Sequence, residues 1–159
     1  MDLGYDCIMM YYNYNQFNHD VPKLGILCES FEADTIIAVA RGGMMLAHAL
    51  SMYLDIRSLH SIRCESYDGT SQRSSLTFWG ELTFPLAKKI LIVDDIVDSG
   101  KTLHTLLPVL HTHNPTVVFK TASLFCKSSA MIQPDFSLHE AHDWIDFFWE
   151  RDFLKSNLL

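Results

Sequence analysis

Apolar residues fall along this chain in two alternating rhythms. Thr35 to Ala40 (TIIAVA) and Ile90 to Val93 are continuous apolar runs of strand length, the pattern of strands covered on both faces. Arg57 to Cys64 reads as a weaker strand, and Thr116 to Phe125 as another. Between them the spacing turns helical. Leu46, Ala49, Leu50 and Tyr53 predict one helix, and Leu103, Leu106, Leu107 and Leu110 a second. Ahead of the first strand, Leu24, Leu27, Cys28 and Phe31 repeat at helical spacing, and Asp20 followed by Pro22 predicts an N-cap with proline in the first turn. Gly25 weakens that helix without overturning it. Ser66 to Gly80 (SYDGTSQRSSLTFWG) is polar and glycine-bounded, hence a long loop or ribbon.

Strand and helix therefore alternate through the middle of the chain. That order predicts an α/β fold, a parallel β-sheet flanked by helices and joined by right-handed crossovers. Ligands bind such sheets beyond the carboxyl ends of the strands. The polar strand ends at Arg41, Asp94 and Lys127 are expected to converge there.

One segment concentrates the chemistry. Ile90 to Thr102 joins a buried strand to two consecutive acids, two aliphatics, a third acid, and Ser-Gly-Lys-Thr opening a helix. Asp94 and Asp95 are expected where the strand leaves the sheet, facing a cation or sugar hydroxyls. Ser99 to Thr102 set backbone amides and two hydroxyls at a helix N-terminus, a ready anion site. Gly100 lets the anion approach the backbone. Helix capping would account for one acid, not three. The Gly-Lys-Thr also looks like the end of a P-loop, but that motif needs glycine at position 95, where Asp95 stands. Arg41-Gly42-Gly43, directly after a buried strand, offers exposed backbone for a second anion contact.

Composition narrows the partners. The chain has 159 residues, 48% apolar and 19% charged, enough for one globular domain with a real core. A net charge of −7 argues against nucleic acid, which needs a basic face. No apolar run is long enough to span a membrane. The N-terminus lacks the basic start of a secretory signal, so a cytoplasmic protein is expected. Cys7, Cys28, Cys64 and Cys126 are far apart and form no CxxC pair, which predicts inert thiols. The close histidine pairs, His111 with His113 and His139 with His142, lack the carboxylate pattern of a metal site.

ILIVDDIVDSGKT resembles the signature of the type I phosphoribosyltransferases, which bind 5-phosphoribosyl 1-pyrophosphate (PRPP). Within them the chain is most similar to the bacterial xanthine-guanine phosphoribosyltransferases. AVARGG at 38–43 resembles their pyrophosphate turn, SYDGTSQR at 66–73 the start of their flexible loop, and FCK at 125–127 with DWIDFFWE at 143–150 their purine pocket. The resemblance covers most of residues 34 to 150.

It implies a single domain over 1–159, with a core at about 20–130 and a small base-binding hood at about 131–159. It also implies purine salvage, in which N9 of a 6-oxopurine displaces pyrophosphate from PRPP. Asp94 and Asp95 would meet the ribose hydroxyls and a Mg²⁺ shell. Ser99, Gly100, Lys101 and Thr102 would cradle the 5-phosphate, although one member of the family carries glycine where Lys101 stands. Lys101 would add a cation to the phosphate or point to solvent. Arg41 and Gly42 would hold the pyrophosphate, with a cis peptide at Ala40-Arg41, and Arg73 would close the loop over PRPP. Asp98 would be the general acid or base at purine N7, its other role being a helix N-cap. Lys127 would donate to O6, in preference to Lys120. Trp144 would stack on the base, Ile145 would offer backbone carbonyls to the 2-position, and Glu150, which stands where the family has aspartate, would join the base site through water or magnesium.

The family implies a homodimer or homotetramer. The N-terminal aromatics (Tyr5, Tyr11, Tyr12, Tyr14, Phe17) would form either an interface or core cover. The alternative function is a nucleotide-binding regulator on the same fold, with little catalysis.

Overall fold

A computed structural model describes residues 10–67 and 75–155. The chain runs β1 (Met10–Tyr12), α1 (Tyr14–Glu29), β2 (Thr35–Ala40), α2 (Met44–Tyr53), β3 (Ser58–Tyr67), β4 (Ser75–Trp79), β5 (Lys89–Val97), α3 (Lys101–His113), β6 (Val118–Cys126), β7 (Phe136–Glu140), β8 (Ile145–Phe147) and α4 (Phe148–Arg151). Six strands form the main sheet in the order β4-β3-β2-β5-β6-β7. All neighbours are parallel except the β3–β4 ribbon. The ribbon answers to the polar segment after Ser66; its residues 68–74, Arg73 among them, lie outside the described residues.

Both faces of the sheet are covered, as the continuous apolar runs require. Ile36, Ala38, Leu91 and Val93 pack with Leu24 of α1 and with Leu46 and Leu50 of α2. Ile37, Val39, Ile90 and Ile92 face the other way, against Leu103, Leu106 and Leu110 of α3. Gly25 lies under the Tyr53 side chain of α2: a Cβ there would meet that ring at 2.3 Å, so a larger residue requires the ring to swing aside.

The start of α1 differs from the expectation. Asp20 is not a cap. The helix begins at Tyr14 behind an Asn13–Gln16 capping box, and Pro22 lies inside it, unable to donate to the Asn18 carbonyl. Asp20 is buried and accepts from Tyr12 Oη at 2.9 Å, with His139 Nε2 at 2.6 Å, so it ties α1 to β1 and β7. Burial alone would push its carboxyl up. The hydrogen bonds from His139 and Tyr12, with the nearby charges of His139 and Lys23, outweigh burial and hold it below the usual range. A depressed carboxylate stabilises the fold above its unfolded pKa, and that contribution is lost as pH falls through the native value. Asp20→Asn is therefore expected to cost about 1–2 kcal/mol at neutral pH. Thermal melts of both proteins from pH 7 downward should show the gap closing below about pH 4, the ordinary carboxylate range.

Beside the main sheet, β1 and β8 form a two-stranded parallel ladder. The N-terminal aromatics divide here. Tyr12 and Phe17 are buried among Phe147, Phe148 and Trp149, whereas Tyr11 and Tyr14 are exposed and Tyr5 is outside the described residues. No helix among the described residues is long and apolar enough to cross a membrane.

Candidate active site

The strand that carries the acids is longer than the pattern implied. Its ladder with β6 continues through Asp94↔Ser123 to Val97↔Cys126, so Asp94 and Asp95 belong to β5 instead of following it. They stand at the carboxyl end of the sheet, on the floor of a cavity of about 270 Å³. The turn after β2 reaches the same cavity through Ala40 and Gly42, and Lys127 arrives directly after β6. Trp144, Ile145 and Glu150 close it from the β8–α4 side. Asp98 and Thr102 complete it and also line an adjoining hollow of about 90 Å³ with Ser99, Gly100 and Lys101. A larger cavity, about 470 Å³, lies by Thr35 and Ser58 at the amino ends of β2 and β3. It lacks the paired acids and the anion loop, so chemistry and not volume selects the site.

Local geometry explains the glycines. Gly42 sits so close to Asp95 that a Cβ would be 2.4 Å from its Oδ2. Gly100 caps α3 at φ 77°, a left-handed conformation that favours glycine, and is backed by the Ile132 amide. The Ala40-Arg41 peptide is cis. Arg41 itself is exposed, while the residues on either side of it line the cavity. Lys101 is exposed, and its backbone N–H donates to Ser99 Oγ at 3.3 Å. The N-cap position of α3 is Gly100, so Asp98 does not serve as its N-cap. Lys120 instead lies over the Phe31 and Phe136 rings, away from the cavity.

Charge in the site is uneven. Asp95 N–H donates to Asp94 Oδ1 at 3.0 Å, and Ile96 N–H to Asp95 Oδ1 at 2.8 Å. Burial, then the neighbouring Asp95 charge, raises the Asp94 carboxyl well above the ordinary range. Burial and the Glu150 charge push Asp95 up to about 6. Lys127 Nζ and Asp98 Oδ1 form an ion pair at 2.5 Å. Cys64 also lines the cavity, and burial pushes its thiol up to about 12, which makes it a poor nucleophile. Among the described residues no group of three or more His, Cys, Asp or Glu could hold a metal by itself. Asp143 lines the cavity too. Sequence reasoning quoted the run that holds it without assigning it a role; its place immediately before Trp144 was the available signal.

Paired carboxylates beside a helix-terminal anion loop, at the carboxyl edge of a parallel sheet, make a site for a phosphorylated sugar. The chain belongs to the phosphoribosyl transferase domain family, whose pattern it matches over residues 25–153. It is 37% identical over 118 residues to the xanthine-guanine phosphoribosyltransferase of Idiomarina loihiensis, covering 72% of this chain and 70% of that protein. The human hypoxanthine-guanine phosphoribosyltransferase is 38% identical over 87 residues, 52% of this chain but 39% of that protein. Among solved structures, the Helicobacter pylori xanthine-guanine-hypoxanthine phosphoribosyltransferase superposes with a TM-score of 0.86 at 39% identity, covering 94% of this chain and 97% of that one.

Proposed function

We propose that this enzyme transfers the 5-phosphoribosyl group of PRPP to N9 of a 6-oxopurine and releases pyrophosphate. The observation that carries the reading is the pairing of Lys127 with Asp98 in a cavity that Trp144 and the Asp94–Asp95 pair also line. The 7H form of a 6-oxopurine offers O6 as an acceptor to Lys127 and N7–H as a donor to the Asp98 carboxylate, and leaves the N9 lone pair free to attack C1′. Adenine presents an amino group at position 6, which cannot accept from the lysine.

In this reading the hollow at Ser99 to Thr102 holds the 5-phosphate, and Arg41 with Gly42 receives the pyrophosphate. Arg73 closes over the bound donor. Asp94 and Asp95 suit ribose hydroxyls and a Mg²⁺ ion. Two adjacent carboxyls without a third ligand fit a cation that takes its remaining ligands from substrate phosphates and water. When bound, that ion neutralises charge developing on the leaving pyrophosphate. Asp98 handles the proton at N7 as the N9–C1′ bond forms. Trp144 stacks on the base, and Ile145 presents backbone groups at the 2-position. Glu150, near enough to Asp95 for its charge to act there, contacts the base side of the site through water or Mg²⁺. The protein is read as a cytoplasmic homo-oligomer that takes no nucleic acid.

Turnover with PRPP and Mg²⁺ should be seen with guanine or hypoxanthine, and fall at least about 10²-fold with adenine, as expected when the lysine is left without its O6 acceptor. Orotate used as well as, or better than, the oxopurines would overturn the reading.

A further inference from the structure

We propose that Asp143 makes the base end of this cavity select guanine over xanthine. The inference rests on the oxopurine reading above and adds to it the choice at the purine 2-position.

The backbone of β8 sets the location. Met10 pairs with Ile145, and Met10 N–H donates to the Trp144 carbonyl at 3.2 Å. Ladder bonding therefore engages Trp144 and leaves the N–H and C=O of Ile145 directed away from β1. Ile145 lines the cavity, and so does Asp143, two residues earlier on the same approach to the strand. A base that stacks on Trp144 with O6 toward Lys127 has its 2-position on this segment.

The charge of the cavity sets the preference. Among the described residues its lining includes five carboxyl groups, Asp94, Asp95, Asp98, Asp143 and Glu150, against one cationic side chain, Lys127, which is already paired with Asp98. Asp94 and Asp95 lie on the donor side. Asp143 is exposed at the base side, where its carboxylate accepts hydrogen bonds and donates none. Guanine carries a 2-amino group that donates to such an acceptor. Xanthine carries a 2-oxo group, which meets the carboxylate acceptor to acceptor. Xanthine also loses a proton near neutral pH far more readily than guanine, so part of it arrives as an anion. Hypoxanthine has only hydrogen at this position, giving up the bond without incurring the repulsion. The order expected is guanine, then hypoxanthine, then xanthine.

The experiment is kcat/KM for the three bases with saturating PRPP and Mg²⁺, on the wild type, Asp143→Asn and Asp143→Glu. The wild type should favour guanine over xanthine by about 10²-fold. Asp143→Asn should narrow that ratio at least about tenfold, mainly through better use of xanthine, and Asp143→Glu should keep it. Because the measure is a ratio between substrates, a general loss of folded enzyme cancels. Xanthine used as well as guanine by the wild type would overturn this inference and leave the oxopurine reading standing. An unchanged ratio in Asp143→Asn would remove Asp143 as its cause. No turnover of any oxopurine would overturn both readings.

Discussion

Asp98→Asn is expected to lower kcat about 10²- to 10⁴-fold while the melting temperature stays essentially that of the wild type. The two halves of this result have separate causes. Asp98 is more than half exposed and is not the cap of α3, whose N-cap position is Gly100. It pairs with Lys127, and an ion pair this open to solvent contributes little to folding. Asparagine keeps the shape and can still accept from Lys127, but it cannot exchange a proton with N7. The defect should therefore appear in kcat, with the KM for PRPP little changed, because the donor is held by the β5 acids and the loop at Ser99 to Thr102. Steady-state kinetics with guanine, alongside a thermal melt, separates the two. Wild-type turnover would remove Asp98 from the chemistry. A large drop in melting temperature would show that the residue acts through the fold.

How far the site was readable depends on which residues carried their own local signal. The strand at Thr35 to Ala40 and the helices after it have a period that their burial enforces, and the structure keeps those bounds. The acids at 94, 95 and 98 and the loop at 99–102 stood out because no bland role uses three acids and a helix-terminal anion loop together. The start of α1 was hidden for the opposite reason. Residues 13–19 are mostly polar, and the one buried apolar side chain among them, Phe17, is fixed by Phe148 and Trp149 from the other end of the chain. The Asn13–Gln16 box was a usable cue, but Asp20 with Pro22 gave a stronger and misleading one. Asp20 serves a contact with His139, distant in sequence, that no local pattern reports. The length of β5 was likewise set from outside, by the continued ladder to β6. Asp143 became visible only once the cavity placed it beside Ile145.

Gly43→Ala is expected to destabilise the protein by about 3 kcal/mol, at the upper end of the usual cost of overpacking. The backbone conformation gives no reason for this. Gly43 has φ −70° and ψ −7°, where alanine is at ease, and such a substitution ordinarily stabilises by restricting the unfolded chain. The obstacle is what surrounds it. An added Cβ would lie 2.4 Å from the Val93 carbonyl oxygen, 2.9 Å from Asp94 Cα and 2.9 Å from the Val39 carbonyl oxygen. All three are backbone atoms of β2 and β5 in the middle of the sheet, so no side chain can swing aside. Relief requires the turn at Ala40 to Gly43 to move off β5, carrying the start of α2 with it. For a domain of this size the loss corresponds to a melting temperature lower by about 6–12 °C. Gly25→Ala is the matched control: the three atoms nearest its Cβ all belong to the half-exposed Tyr53 ring, which can rotate, and alanine there adds helix propensity of about 1 kcal/mol. Urea denaturation should thus leave Gly25→Ala near the wild type and place Gly43→Ala well below it. Since the same turn presents Gly42 to Asp95, whatever Gly43→Ala protein folds should also bind PRPP more weakly. A Gly43→Ala variant as stable as the wild type, with donor affinity intact, would show that the turn and the acid-bearing strand are not held together by this contact.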